Sequence, residues 1–287
     1  MAGVIGRRAF WLAAVAVAAI PAMAQQAAKP ASDDFITGIP ADPSPAWTIA
    51  YGGRMYDSWW LVLGEPEPTT NNPSYPSIGA ATGADTWACT SCHGWDYKGA
   101  AGFNGTGPVF DPTESYTGIA GVTGAMGEDP AKIAALLRAP PHNYSAAMIP
   151  DDALMRLALF ISQGLYDSSS YIDPATRKAK GDVVHGRAVF QTVCASCHGL
   201  DGRQINFGTA ADPEYVGTVA NNEPAAALHK LMNGISVVPD DVRSQAPFGG
   251  AAGAGLGMYP AAMESWRALG VTFAADALAY AQTLPVN

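Results

Sequence analysis

Apolar residues recur at helical spacing in several separated stretches of the chain, and the segments between them are rich in Gly, Pro, Asn and Ser. Tyr56, Trp59, Trp60 and Leu63 predict an amphipathic helix over 51–63. Ile133, Ala134, Leu136 and Leu137 predict a short helix over 129–138, stopped by Pro140-Pro141. Over 151–163, Leu154, Leu157, Phe160 and Ile161 form one face, Asp151 and Asp152 occupy the first turn, and Gly164 closes the helix. Further helices are predicted over 182–193, over 223–233 (Leu228, Leu231, Met232, then Gly234) and over 271–283 (Phe273, Leu278, Tyr280). These helices, set among Gly- and Pro-rich segments, make the expected fold loop-rich. Residues 64–85 and 235–262 read as long loops. A linker stretch from Tyr166 to about Lys180, with the Ser168–Ser170 run, Pro174 and the basic residues Arg177, Lys178 and Lys180, puts the boundary between domains at 173–181.

The chemistry sits beside these helices. The chain has four cysteines, and all fall in two copies of C-x-x-C-H: Cys89-Thr90-Ser91-Cys92-His93 and Cys194-Ala195-Ser196-Cys197-His198. This is the attachment signature of a c-type haem. The two thiols add across the haem vinyl groups, and the histidine is placed to bind iron. The competing readings are a pair of disulfides or a Cys/His zinc site. Against them, the copies share Cys-x-Ser-Cys-His-Gly-x-Asp, lie 105 residues apart, and each has a proline fifteen residues past its histidine, Pro108 and Pro213. The chain is therefore expected to be a tandem repeat holding two covalently bound haem c groups.

The N-terminus changes where this chemistry would happen. Arg7-Arg8, the apolar run Phe10 to Ile20 and Ala22-Met23-Ala24 read as a cleaved export signal over 1–24. The expected location is the periplasm. The run is too short to span a bilayer comfortably, and no second one approaches that length, so the exported chain is not expected to span the membrane. Residues 25–45 read as a disordered leader. Without Arg7 and Arg8 the chain carries 14 basic against 25 acidic side chains, a net charge of −11. That excludes nucleic acid as a partner and suits docking on basic protein surfaces.

The second half resembles a class I cytochrome c domain. Gly186 and Phe190 precede Cys194 as in that fold's first helix, which would cross the last helix near Tyr280. The whole exported chain resembles a group of periplasmic dihaem cytochromes. The likeness lies in 52–57 (Gly-Gly-Arg-Met-Tyr-Asp), 92–99 (Cys-His-Gly-Trp-Asp-Tyr-Lys-Gly), Leu228-His229-Lys230 and 279–285 (Ala-Tyr-Ala-Gln-Thr-Leu-Pro). The first half departs from the pattern, with Asp85 at the position that Phe190 occupies in the second. The resemblance implies an all-α fold of two tandem cytochrome c-like domains, 46–172 and 182–287.

It also implies ligands. His93 and His198 would bind iron on one side, each donating its Nδ1 proton to a backbone carbonyl, with Pro108 and Pro213 as the candidates. The distal ligand would come from the loop before each domain's last helix. In the second domain Met263, eight residues before Val271, is preferred to Met258, thirteen before. In the first, His142 is nine residues before Asp151 and Met148 only three, which favours His142 and leaves Met148 as the alternative. His185 and His229 read as residues of solvated helix faces. Tyr97, Lys98 and Arg203 are candidates for contacting haem propionates. Two six-coordinate haems imply an electron carrier between protein partners, a dehydrogenase or quinol-oxidising complex on one side and a terminal oxidase or reductase on the other. The alternative is an enzyme or enzyme subunit, thiosulfate-dehydrogenase-like or peroxidase-like, in which one haem opens its distal side.

Overall fold

Helix α1, Pro45–Leu63, is the element around which the described chain is arranged, and it begins six residues earlier than its apolar periodicity predicts. Its start is set by a cap rather than by a face. Ser44 Oγ accepts from Trp47 N at 3.0 Å, and Pro45 stands in the first turn, where its missing N–H costs nothing. Gly64, with φ of 68°, ends it. From Ala50 to Tyr56 every residue is buried, so these nearly two turns are enclosed on all sides rather than amphipathic. Adjacent glycines make that possible. An added Cβ at Gly52 would overlap the carbonyl oxygen of Arg156, and one at Gly53 would overlap the Asn233 side chain. Two helices thus touch the α1 backbone on different sides.

The computed structural model describes residues 42–102, 117–236, 267 and 269–286. The expected signal peptide and most of the leader lie outside them. After α1 come α2 (Cys89–His93), α3 (Pro130–Arg138), α4 (Asp151–Leu159), α5 (Val183–Val189), α6 (Ala195–His198), α7 (Val216–Asn222), α8 (Pro224–Asn233) and α9 (Val271–Ala281). Among the described residues there are no strands, only the isolated bridges Gly99–Ala120 and Ile172–Ala179. The all-α expectation is met. No helix among these residues is long and apolar enough to cross a membrane.

Most helices sit close to their sequence limits. Asp129 caps α3 by accepting from Ala131 N at 2.9 Å. Asp182 caps α5 by accepting from Val184 N and His185 N. Two expected helices are instead broken into an α segment and a wide π-type turn, Phe160–Gly164 after α4 and Phe190–Cys194 after α5. The second of these delivers the chain into the Cys194 motif. Helix α7 went unforeseen because Val-Gly-Thr-Val-Ala-Asn-Asn is built from poor helix formers. Tertiary contacts hold it: Gly217 abuts the Leu284 and Pro285 carbonyls, and Asn221 Nδ2 donates to the Gln282 carbonyl at 3.1 Å.

The two halves share one hydrophobic core. Trp47, Met55, Tyr56, Leu157 and Phe160 belong to the same buried cluster as Leu228, Met232, Ala275 and Leu278. The stretch between them is packed as well: Ile172 is fully buried, and the Gln282 side chain donates to the Arg177 carbonyl and accepts from Ala179 N. Helices α5 and α9 cross at Gly186, whose missing side chain leaves room for the Asp276 carbonyl, and the Phe190 and Tyr280 rings meet at 5.4 Å. That crossing is the one the class I resemblance implies.

Candidate haem-binding sites

The two C-x-x-C-H motifs fold alike, each as a short helix ended by a glycine in a positive-φ conformation: Gly94 at 78° and Gly199 at 76°. Each turn after the motif closes on the histidine carbonyl, with Gly99 N donating to His93 O at 2.8 Å and Gln204 N to His198 O at 2.9 Å. No disulfide joins the four cysteines. Among the described residues, no group of three or more His, Cys, Asp or Glu side chains could hold a metal ion, so the zinc reading finds no ligand set. Burial pushes the Cys89 and Cys194 thiols up to about 12 and Cys92 to about 11. The surroundings thus disfavour thiolate. A thioether carries no charge, so a covalently attached sulfur suits the same environment at no electrostatic cost.

The first site has both of its expected histidines. His93 donates Nδ1–H to the Ala120 carbonyl at 2.7 Å. The expected donor of that carbonyl, Pro108, lies outside the described residues, and Ala120 takes the role. Ala120 was not legible in sequence because its loop folds back through the Gly99 bridge. The His142 ring lies next to the His93 ring, with centroids 6.1 Å apart and planes 38° from parallel. His142 Nδ1 lies 3.3 Å from the Leu136 carbonyl. Both rings therefore have Nδ1 engaged by backbone and Nε2 left for another partner. Metal–nitrogen bonds of about 2 Å on each side, plus the half-widths of two imidazoles, sum to roughly 6 Å, so the centroid separation matches that of two imidazoles sharing one metal.

The loop carrying His142 is held rigidly. Arg138, which sequence reading passed over, donates to the carbonyls of Tyr144 (2.9 Å) and Ile149 (2.8 Å), bracketing the loop, and pairs with Asp151. Tyr144 OH donates to the Trp87 carbonyl, and Ser74 Oγ to the Pro141 carbonyl, which ties the loop to the approach of the first motif. Met148, the alternative ligand, is half-buried against the core.

At the second site the structure describes one side only. His198 Nδ1 is buried and has no hydrogen-bond partner, so the expected bond to the Pro213 carbonyl is not made. The ring lies 5.8 Å from the Phe207 ring, and burial holds its pKa down at about 4, the neutral form that a metal needs. A buried, orphaned ring in a C-x-x-C-H helix is consistent with a pocket completed by haem. Met258 and Met263 lie outside the described residues.

Other assignments change. His229 is not on a solvated face but fully buried, between the halves. Its Nε2 donates to the Gly53 carbonyl at 2.9 Å, so Nδ1 is the acceptor of the hydrogen bond that the Tyr97 hydroxyl donates at 2.7 Å. Tyr97 is therefore turned into the core rather than toward a propionate. Lys98 pairs with Asp167 at 2.7 Å, and Arg203 donates to the Val286 carbonyl. His185 is half exposed, as expected, and its Nδ1 meets Asp276 at 2.7 Å.

Burial pushes the His229 pKa from 6.5 down to about 3. As pH falls below about 6.5 the unfolded chain takes up this proton and the folded one does not. Stability is full above that value and falls by about 1.4 kcal/mol per unit toward pH 3. The urea midpoint of the haem-loaded protein should therefore drop more steeply between pH 6.5 and 4 than that of H229Q. Parallel curves for the two would disprove this assignment.

Residues 183–265 match the family model described as Cytochrome c. The match begins where α5 begins and contains Cys194, Cys197, His198 and both candidate methionines. No curated protein and no solved structure matches the chain. The matched stretch is thus similar to c-type cytochrome domains, a family whose members hold haem c covalently and move electrons.

Proposed function

We propose that the whole chain is a periplasmic dihaem electron carrier, with a second cytochrome c-like domain over 46–172 and one haem at each C-x-x-C-H. The observation that carries this beyond the family match is the neighbouring pair His93 and His142, ring centroids 6.1 Å apart, each with Nδ1 engaged by a carbonyl. Cys89 and Cys92 would attach the first haem and Cys194 and Cys197 the second. His198 and Met263 would be the axial pair of the second. When bound, each haem supplies a one-electron iron couple. The chain's contribution is to fill both axial positions, exclude water and hold the ligands still, so that little rearranges on electron transfer. Imidazole on both sides of the first iron and a thioether on the second would separate the potentials, the thioether-ligated one lying higher. The acidic surface suits basic partner faces, with a dehydrogenase or quinol-oxidising complex as donor and a terminal oxidase or reductase as acceptor. The export signal read over 1–24 supports a location outside the cytoplasm, where covalent attachment takes place.

Carbon monoxide binding to the reduced protein tests the six-coordinate reading. The wild type should bind well under one equivalent per chain, and H142A about one, because removing the imidazole opens the first iron. A wild type that already binds a full equivalent would instead support a haem enzyme with an open distal side.

A further inference from the structure

The loop that orients His93 is locked from the other half of the chain. Ala120 belongs to a short segment fastened on both sides of that residue: Ala100 N donates to the Ile119 carbonyl, and Val122 N to the Tyr97 carbonyl, each at 2.8 Å. Tyr97 holds this segment from an unusual backbone position, φ of 66°, which an aromatic residue adopts only when its surroundings impose it. Those surroundings are visible. The ring is fully buried against Tyr56, Phe160 and Tyr166, and its hydroxyl ends on His229 of α8, which is anchored in turn on Gly53 of α1.

We propose that Tyr97 and His229 are positioning residues for the first haem: through the Tyr97 carbonyl they fix the Ala120 carbonyl against His93 and so hold down the potential of that haem alone. This rests on the reading of His93 as an iron ligand. A firm Nδ1–H···O bond makes the imidazole a better donor through Nε2, which favours ferric iron; a loosened bond does the reverse. Neither residue touches iron in this account. A core that merely needed filling would lose stability on substitution without changing one haem selectively.

The test uses haem-loaded wild type, Y97F, H229L and H229Q, with covalent haem first counted by pyridine haemochrome. Spectroelectrochemical titration should then show Y97F and H229L with the lower of two potentials raised by about tenfold in the ferrous-to-ferric ratio, about 59 mV for one electron, and the other unmoved. The amide of H229Q can accept from Tyr97 and donate to Gly53, so its shift should be less than threefold. Unmoved potentials in Y97F and H229L, or two that move together, would overturn the proposal. If H229L does not accumulate, Y97F, which lacks a single oxygen atom, decides the matter. A wild type with one haem would remove the dihaem reading and the proposal with it, and the haemochrome count shows this before any titration.

Discussion

Replacing Cys89 and Cys92 together by alanine should halve the covalent haem of the purified protein, from two per chain to one, and the C194A/C197A pair should halve it from the other side. The reasoning is chemical. Each motif offers two half-buried cysteines and a histidine, and no other cysteine in the chain can substitute for a lost thioether. The two pairs should differ in what remains. C89A/C92A should keep the haem of the family-matched segment, held by His198. C194A/C197A should keep the one between His93 and His142. Intact mass under denaturing conditions reads the result directly. Unchanged haem in C89A/C92A would leave the protein with a single haem domain.

Alanine at Gly52 should destabilise the folded protein by about 3 kcal/mol, although alanine is the better helix former by about 1 kcal/mol. The added methyl would meet the Arg156 carbonyl and the Phe160 Cβ, which are fixed parts of α4 and the turn after it, so no flexible side chain can swing aside. The same argument applies to Gly186→Ala, where the obstacle is the Asp276 carbonyl in α9. For a chain of this size about 3 kcal/mol corresponds to a fall in Tm of roughly 6–12 °C. Gly124→Ala, where nothing lies within reach, should leave Tm nearly unchanged. Thermal melts of the three variants check the contrast, and equal effects at all three positions would refute the packing argument.

The helices and the C-x-x-C-H motifs were legible because their signals are local. Asp129 and Asp182 cap where they stand, and cysteine spacing is fixed by three covalent neighbours. The preference for His142 came from chain length before Asp151, a short-range quantity, and its ring lies 6.1 Å from that of His93. What escaped was set by distant partners. His229 reads as a helix-surface residue until Gly53, 176 positions away, supplies its acceptor. The weak helix former 216–222 is helical because the chain's last residues cover it. No periodicity encodes such long-range bonds.

The shared core bears on speed. If the halves hung from a slack tether, electrons would pass between the two haems only during chance collisions, at a rate tuned by viscosity and salt. With α1 gripped by α4 on one side and α8 on the other, the span between the two motifs is a constant of the molecule. In the proposed dihaem reading, internal exchange would then depend on that fixed span and on driving force, while ionic strength would act where charge is screened, at the encounter with an outside partner.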